Sequence, residues 1–411
     1  MAQHPQRDRS EAGEPRRGPL AGVRVLDIGT VFAAPFAGAL LGDLGADVIK
    51  IEMPKSGDPL RDLEPFVEAE SLLWASVARN KRSVALDLRT EAGREILLRL
   101  VREHDVLLEN FRPGTLDGWG LDIETLHEAN PDLIVTRVSG YGQTGPRSSM
   151  PGFGTPATAF SGYVHSTGFP DRPPVLPPMN LVDYVAGLFA AYGAVAALYH
   201  RDVGDGGGQQ VDVALYESIL RFLEGFIAEY DRLGTVHERQ GNQFAAAAPC
   251  GIFQASDGAA LVLSTSTDQT FNRLASTMNR ADMSTDPRYS TNRARVAHRD
   301  QVNGIVGDWF GRHTAEVAQK ICDEAGVPVS RVSSMADVFA DPHINERGSL
   351  VRVEHPRLGE LTMPAVVPRF SDTPGEVRTP GPTLGQHTEE VLAGIGVGPD
   401  ELARLAESGV I

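Results

Sequence analysis

The sequence predicts an α/β protein in which helices flank a parallel sheet, together with a smaller α+β lobe. Short β-branched runs alternate with helical patterns over residues 23–142, which is typical of β/α units in a parallel sheet. After about residue 235 the pattern changes to hairpin-like runs and shorter helices. The chain has 411 residues, of which 41% are hydrophobic, and this is enough for two or three compact lobes.

Five β/α units fill residues 23–142. The first strand is VRVLDIG; a helix over about Pro35 to Leu44 follows it and leads to the strand ADVIKIE. The strand SVALDL precedes the helix TEAGREILLRLVREH, whose apolar residues recur at helical spacing: Ala92, Ile96, Leu97, Leu100 and Val101. The strand DVLLENF, a short helix near IETLHEAN and the strand DLIVTRVSGYG complete the series.

An apolar run from Leu181 to His200 predicts a long helix. It approaches the roughly 20 residues that a membrane span needs. However, it is rich in Ala and Gly, carries Asp183 and has no second span nearby, which favours a buried helix over a membrane partner.

The rest of the chain divides into three parts. A Gly-rich turn leads to the strand VDVAL and to a helix through about Leu233. Residues 235–343 predict the α+β lobe. A hairpin turning at Pro356 to Gly359 and a terminal helix, PDELARLAES, follow.

Composition and charge argue against several kinds of partner and site. A net charge of −16 argues against nucleic acid or an anionic membrane as the main partner. Cys250 and Cys322 are far apart, so we predict no disulfide scaffold and no metal site. The two cysteines also fit a reducing cytoplasm. Residues 1–18 are charged and lack the apolar core of a signal peptide, which predicts a disordered tail; an address read by a receptor is the alternative.

The segment GYGQTG at residues 140–145 matches the G-x-G-x-x-G pattern after a strand. No helix follows it, because PRSSMPG comes next, and this argues against a dinucleotide site. We expect Gly140 and Gly142 to turn the chain tightly at the carboxyl end of a strand, where open α/β sheets bind ligands, and we take both as candidate ligand contacts. Backbone N–H groups of this loop are candidates for stabilising an oxyanion.

Basic residues cluster in loops beside the predicted strands, notably in ARNKRS, which contains Lys81, and in ENFRPG, which contains Arg112. Such charges are often only solvated, and phosphate binding is the alternative. Arg112 has the stronger case, because a guanidinium can grip a phosphate bidentately and Asn110 adds hydrogen-bonding capacity beside it.

Asp183, at the front of the long apolar helix, is the main catalytic candidate. One reading is a carboxylate that accepts hydrogen bonds from the free N–H groups of the first helical turn. The other is a nucleophile that attacks a thioester, kept ionised with the help of the helix start. The two readings are compatible, and the usual hydrolase signatures are absent from the sequence.

Several long stretches in order resemble the class III coenzyme A transferases, a family that includes the α-methylacyl-CoA racemases. They are PLAGVRVLDIGTVFAAPFAGALLGDLGADVIKIEMPKSGDPLR, ARNKRSVALDLRTEAGREILLRLV, DVLLENFRPGTLDGWGLD, VSGYGQTGP and PTLGQHTEEVL. The resemblance runs from Pro19 to Ile411. It implies a Rossmann-like large domain over residues 19–233 with 344–411, a small α+β domain over 234–343, and ring-shaped subunits that interlock as a homodimer.

The resemblance also assigns roles to residues. The family's catalytic aspartate lies in a stretch x-D-x-x-x-G-x-x-A, here VDYVAGLFA, which carries the role to Asp183. It implies no tightly bound cofactor, with a coenzyme A thioester and a carboxylic acid as substrates. Its coenzyme A contacts fall on Phe32, Ala33, Lys81, Asn110 and Phe111.

The chain departs from the family pattern at some of these contacts. Met53 and Gly118 stand where some members have basic residues, so we take Arg112 as a substitute phosphate contact on physical grounds. Residues 235–265 lack the GGGG lid run of formyl-type members, which argues against oxalate or formate; Gly241 and Asn242 serve either as a lid or as an ordinary turn.

Three functions remain open. A transferase that moves coenzyme A, possibly from succinyl-CoA, to a carboxylic acid through aspartyl intermediates is favoured. A racemase or isomerase needs a proton-shuttling histidine where this chain has Phe153, and His165 fits a structural role better. A catalytically silent coenzyme A-binding protein is the third. The sequence does not identify the acids exchanged.

Overall fold

The computed structural model describes residues 18–204 and 206–411, so the tail predicted over residues 1–18 lies outside the described residues except for Gly18. Contacts divide the chain into two units. One takes in the chain up to Tyr163 with Pro177–Ile227 and Glu346–Ile411, and the other comprises Val164–Leu176 and Ala228–Asn345. The domain boundaries expected from the sequence stay a prediction.

Most strands lie on the runs predicted from the sequence, but the strand predicted at SVALDL begins two residues earlier, at Lys81. Numbered along the chain, the strands are β1 (Arg24–Asp27), β2 (Asp47–Glu52), β3 (Phe66–Val67), β4 (Glu70–Ser71), β5 (Lys81–Ala85), β6 (Val106–Glu109), β7 (Ile134–Ser139), β8 (Gln210–Ala214), β9 (Cys250–Gln254), β10 (Ala260–Ser264), β11 (Val329–Arg331), β12 (Leu350–His355) and β13 (Gly359–Pro364).

The α-helices of the first unit's N-terminal part are α1 (Ala33–Asp43), α2 (Leu72–Val77), α3 (Glu91–Val101), α4 (Thr115–Gly118), α5 (Ile123–Ala129), α6 (Gly154–Phe160), α7 (Leu181–Val203) and α8 (Leu215–Leu220). Those that follow are α9 (Glu224–Leu233), α10 (Asp268–Thr277), α11 (Asn292–Ala297), α12 (Arg299–Phe310), α13 (Ala315–Glu324), α14 (Met335–Ala340), α15 (Pro342–Glu346), α16 (Thr388–Gly394) and α17 (Pro399–Glu407). Short 3₁₀ turns cover Pro59–Asp62, Arg221–Leu223 and Ala281–Ser284.

A six-stranded sheet organises the first unit, in the order β5-β2-β1-β6-β7-β8, and all of its pairings are parallel. The chain starts in the middle with β1, proceeds outward to β5, and then returns to place β6 on the other side of β1. Open α/β sheets bind ligands at such a reversal, beside the carboxyl ends of the strands. The crevice between β1 and β6 is therefore where a site is expected.

Helices cover both faces of this sheet. On one face α1 packs against α7 through small side chains, including Ala34, Ala37, Ala186 and Ala190. On the other face α3 and α5 bury leucines, and residues of the C-terminal helices α16 and α17 join the same cluster. Small residues between α1 and α7 let the two backbones approach closely, which fixes the start of each helix near the other.

Composition alone does not decide whether the helix α7 spans a membrane or lies in a protein core. Among the described residues it is long and apolar enough to cross a membrane by length and composition. Its alanines at positions 186, 190, 194 and 197 recur at helical spacing and are buried in the sheet-packing cluster. The apolar character of this helix is therefore explained by its packing in the protein core.

The second unit contains a three-stranded antiparallel sheet, β11-β10-β9. Its core is built from α10, α12 and α13, with Phe271, Val306 and Phe310 fully buried. The hairpin of β12 and β13 belongs to the first unit and pairs His355 with Gly359, which confirms the turn predicted there.

Candidate active site

A cavity of about 470 Å³ opens at the carboxyl ends of β1, β6 and β7, within the first unit. This volume is within the range of small-molecule sites. Its lining residues are Thr30, Val31, Phe32, Ala33, Asn110, Phe111, Arg112, Pro113, Val138, Ser139, Gly140, Met150, Pro151, Gly152, Phe153, Gly154, Thr155, Asn180, Asp183 and Leu215. The cavity therefore combines the loops after three strands with the first turns of α6 and α7.

Asp183 lies in the first turn of α7, two residues after the helix begins. Asn180 is the N-cap residue and makes no side-chain capping bond. The backbone N–H of Asp183 donates to the carbonyl of Asn180 at 3.1 Å, so it is shared between that carbonyl and the Asp183 carboxylate. Capping alone therefore does not account for the position of this side chain.

The Asp183 carboxylate is largely buried and weakly solvated. Burial raises its pKa from 3.8 to about 6, and the N–H of Asp183 itself is the opposing influence. Tyr184 beside it also has a raised pKa because it is buried and faces that negative charge. A desolvated carboxylate with few hydrogen bonds is a stronger nucleophile than one in water, yet a pKa near 6 keeps it mainly ionised at neutral pH.

Two glycines let other chain segments approach the N-terminal part of α7. A Cβ atom on Gly154, the first residue of α6, would lie 1.9 Å from Oδ2 of Asp183. A Cβ on Gly187, one turn further along α7, would lie 2.6 Å from the carbonyl oxygen of Ala33. Any larger side chain at either position would push the carboxylate, or the start of α1, away from its place.

The loop after β1 is held by an amide clamp. The side chain of Asn110 accepts a hydrogen bond from the Thr30 N–H at 2.7 Å and donates one to the Thr30 carbonyl at 2.8 Å. Phe32 and Ala33 follow directly and line the cavity. Asn110 thus joins the end of β6 to the loop after β1, across the reversal point of the sheet.

Phe111 and Arg112 line the same cavity from the loop after β6. The Phe111 N–H donates to Glu109 at 2.7 Å, and Glu109 in turn accepts from Arg137, also at 2.7 Å. The Arg112 guanidinium is exposed and donates through Nε to the Ser149 carbonyl at 2.6 Å. It is a cation at the cavity wall, with donors left for an anionic group.

Two of the expected ligand contacts lie outside the cavity lining. Lys81 is fully buried in β5, where its Nζ lies 2.9 Å from Asp27 and 2.5 Å from the carbonyl of Pro35. Pairing of β5 with β2 places this lysine inside the sheet, so the phosphate contact expected of it is not supported by its position. Gly142 has a positive φ of 84° and turns the chain beside Asp212, whereas Gly140 lines the cavity.

Ser139, at the end of β7, is a site residue that the sequence reasoning missed. It lines the cavity and is only 6% exposed, and its hydroxyl has no hydrogen-bond partner among the described residues. A buried hydroxyl without a partner is costly and usually marks the place of a water or ligand. Its position at the carboxyl end of a strand in SGYG was the signal available in the sequence.

The chain matches known proteins over nearly its whole length. The family described as CoA-transferase family III matches residues 20–388. A succinyl-CoA–D-citramalate CoA-transferase from Chloroflexus aurantiacus is 44% identical over 395 residues, which cover 96% of this chain and 98% of that protein.

A second relative from the same organism, the beta subunit of a succinyl-CoA–L-malate CoA-transferase, is 44% identical over 401 residues, or 96% of this chain and 98% of that protein. Among solved structures, a CAIB/BAIF family protein from Brucella suis superposes with a TM-score of 0.81 at 32% identity. The match covers 92% of this chain and all of that one.

Proposed function

The chain belongs to CoA-transferase family III, and we propose that it transfers coenzyme A from succinyl-CoA to a dicarboxylic acid with Asp183 as the nucleophile. The observation that carries this proposal is the Asp183 carboxylate itself. It is buried in a cavity at the reversal point of the sheet, with its pKa raised to about 6 by that burial.

The reaction begins when an Asp183 carboxylate oxygen attacks the thioester carbonyl of the donor. The C–S bond breaks, coenzyme A leaves as its thiolate, and a mixed anhydride forms. The thiolate then attacks the aspartyl carbonyl of the anhydride, releases the donor acid as a carboxylate and leaves an aspartyl-CoA thioester. The acceptor carboxylate repeats these two steps in reverse order, which forms the new acyl-CoA and restores Asp183.

The cavity suits intermediates that water would destroy. Anhydrides and thioesters hydrolyse, so the reacting atoms must be kept from bulk solvent. Phe32, Ala33, Val138 and Leu215 supply apolar walls around the carboxylate. The same low polarity that raises the pKa of Asp183 therefore protects the acyl groups that it carries.

Polar groups of the cavity are available for the substrates. We propose that the Ser139 hydroxyl and backbone N–H groups near Gly140 donate to substrate oxygens, including the oxyanion that forms during attack. Arg112 lines the cavity, and we propose that it binds a carboxylate or phosphate there. Asn110 acts on the substrate indirectly, since its amide already holds the loop at Thr30.

The names of the relatives support a proposal for the substrate class. Two proteins that are 44% identical to this chain are named for succinyl-CoA as donor and for D-citramalate or L-malate as acceptor. We propose a dicarboxylic acid of that size for this chain. A racemase is not favoured, because none of the described residues that line the cavity is a histidine, and Phe153 there cannot move a proton.

The assembly and the location of the protein are separate proposals. We propose a homodimer, with the interlocked ring-shaped subunits and the two-domain division that the family resemblance implies. The cytoplasm is the proposed location, because both cysteines are free and coenzyme A thioesters are the substrates.

Replacing Asp183 tests the central step. Asp183→Asn keeps the side-chain volume but removes the nucleophile, so exchange between succinyl-CoA and a panel of dicarboxylic acids is expected to fall by about 10³-fold or more. Mass spectrometry of new thioesters and hydroxylamine trapping of the acyl-enzyme measure it. Asp202→Asn, which changes an exposed aspartate at the other end of α7, is the matched control and should remain active. Full exchange by Asp183→Asn would overturn the proposal.

A further inference from the structure

The loop after β1 contains a backbone conformation that needs outside support. Val31 has φ of 64°, in the left-handed region that a β-branched residue rarely occupies. It stands directly before Phe32 and Ala33, and all three line the cavity with Asp183. Such strained residues persist only where the surrounding structure holds them.

The support for Val31 comes from Asp58, a residue that does not line the cavity. Both carboxylate oxygens of Asp58 accept from the Val31 N–H, at 3.0 and 3.2 Å. The same carboxylate accepts from the Leu60 N–H at 2.8 Å, which anchors it at the start of the 3₁₀ turn Pro59–Asp62. Asp58 therefore joins a separate loop to the strained residue.

A buried lysine keeps Asp58 ionised. Lys50, in the neighbouring strand β2, places Nζ 3.1 Å from Asp58 and 3.8 Å from Asp27, and it also donates to the Gly29 carbonyl. Burial alone would raise the pKa of Asp58, but Lys50 and the two backbone N–H groups outweigh it and hold the pKa below its ordinary value. Lys50 and Asp58 together therefore hold the loop after β1, through the Gly29 carbonyl and the Val31 N–H.

We propose that Asp58, held by Lys50, is a positioning residue for the transfer reaction. Through the Val31 N–H it fixes the left-handed turn that places Phe32 and Ala33 against the reacting carboxylate. The proposal rests on the function proposed for Asp183 and adds to it a residue outside the cavity. Because the effect is on geometry, its loss should lower kcat more than it changes KM.

A double-mutant cycle with Val31 tests this role. Asp58→Asn is expected to lower kcat by about tenfold or more, with KM for succinyl-CoA changed by less than about threefold. Glycine adopts a positive φ freely, so Val31→Gly allows the turn without the carboxylate. We therefore expect Asp58→Asn to cost at least about threefold less kcat when Val31→Gly is already present. Asp62→Asn, an exposed aspartate of the same 3₁₀ turn, is the control and should behave as the unchanged enzyme.

Different outcomes would overturn the positioning role of Asp58 and the function proposed for Asp183. Equal loss of kcat by Asp58→Asn in both backgrounds, or a loss seen only in KM, would overturn the positioning role. If Asp58→Asn fails to fold, hydrogen exchange of the backbone N–H at position 31, compared between Val31→Gly and the unchanged enzyme, decides. The N–H should stay protected in both, and fast exchange in the unchanged enzyme contradicts the proposal. Activity of Asp183→Asn would instead overturn the function itself.

Discussion

Asp183 is a partly buried carboxylate with few hydrogen-bond partners, and this has consequences for stability as well as for chemistry. Its pKa is about 6 in the fold against 3.8 ordinarily, so the folded protein holds this proton more tightly than the unfolded chain. The stabilisation is present at low pH and is lost as the pH rises through about 6. Above that pH the charge costs up to about 3 kcal/mol, so Asp183→Asn should unfold at a higher temperature at pH 8.

The same shift predicts the acid limb of the pH profile. Only the ionised carboxylate attacks a thioester, and its pKa is raised by burial to about 6. We expect kcat/KM to be nearly constant above pH 7 and to fall about tenfold per pH unit below pH 6. Initial rates in buffers of constant ionic strength measure this. A limb centred near pH 4 would mean that the carboxylate is better solvated than its burial indicates.

The sequence pattern predicts the strands of the sheet well. The runs VRVLDIG, ADVIKIE and DVLLENF became β1, β2 and β6, because alternating β-branched runs and amphipathic helices determine local structure. The helix expected from about Pro35 begins at Ala33, so a residue expected to contact the ligand starts α1.

The sequence pattern does not predict the order of the strands in the sheet. Lys81 sits in a loop-like motif, and only the pairing of β5 with β2 reveals that its ammonium group is buried against Asp27. The contact of Gly154 with Asp183 and the support of Val31 by Asp58 likewise join segments that are distant along the chain. These contacts depend on tertiary packing, which periodicity does not encode.

The packing of α6 against α7 gives a prediction at the scale of elements. In Gly154→Ala the new Cβ would meet Oδ2 of Asp183 at 1.9 Å, so the carboxylate must turn away from the cavity. A displacement of this size is expected to reduce kcat by about 10²-fold. Gly394→Ala, in a helix position where a Cβ meets nothing within 4 Å, is the control for both activity and thermal unfolding. Normal exchange by Gly154→Ala would show that the carboxylate does not react from this position.

At the scale of the whole molecule, the reversal point of the sheet explains why the site draws on so many separate segments. The cavity is bounded by loops after β1, β6 and β7 and by the starts of α6 and α7. Asn110 ties the loop after β6 to the loop after β1, and Asp58 holds the loop after β1 from a separate segment. Glu109 joins Phe111 to Arg137 of β7, so the sheet acts as a rigid frame for Asp183. The other side of α7 faces away from this frame and is free to serve assembly.

That outer side of α7 predicts how the chain associates. Leu188, Tyr192, Val195 and Tyr199 recur at helical spacing and are 56%, 70%, 37% and 69% exposed. An apolar stripe of this length is typical of a protein interface. The proposed homodimer predicts that light scattering gives twice the chain mass. Tyr192→Asp with Tyr199→Asp should shift it to the monomer, whereas Met335→Asp, an exposed residue of α14, should not. One relative is named as a beta subunit, so an inactive monomer that gains activity only with a different chain would contradict the homodimer.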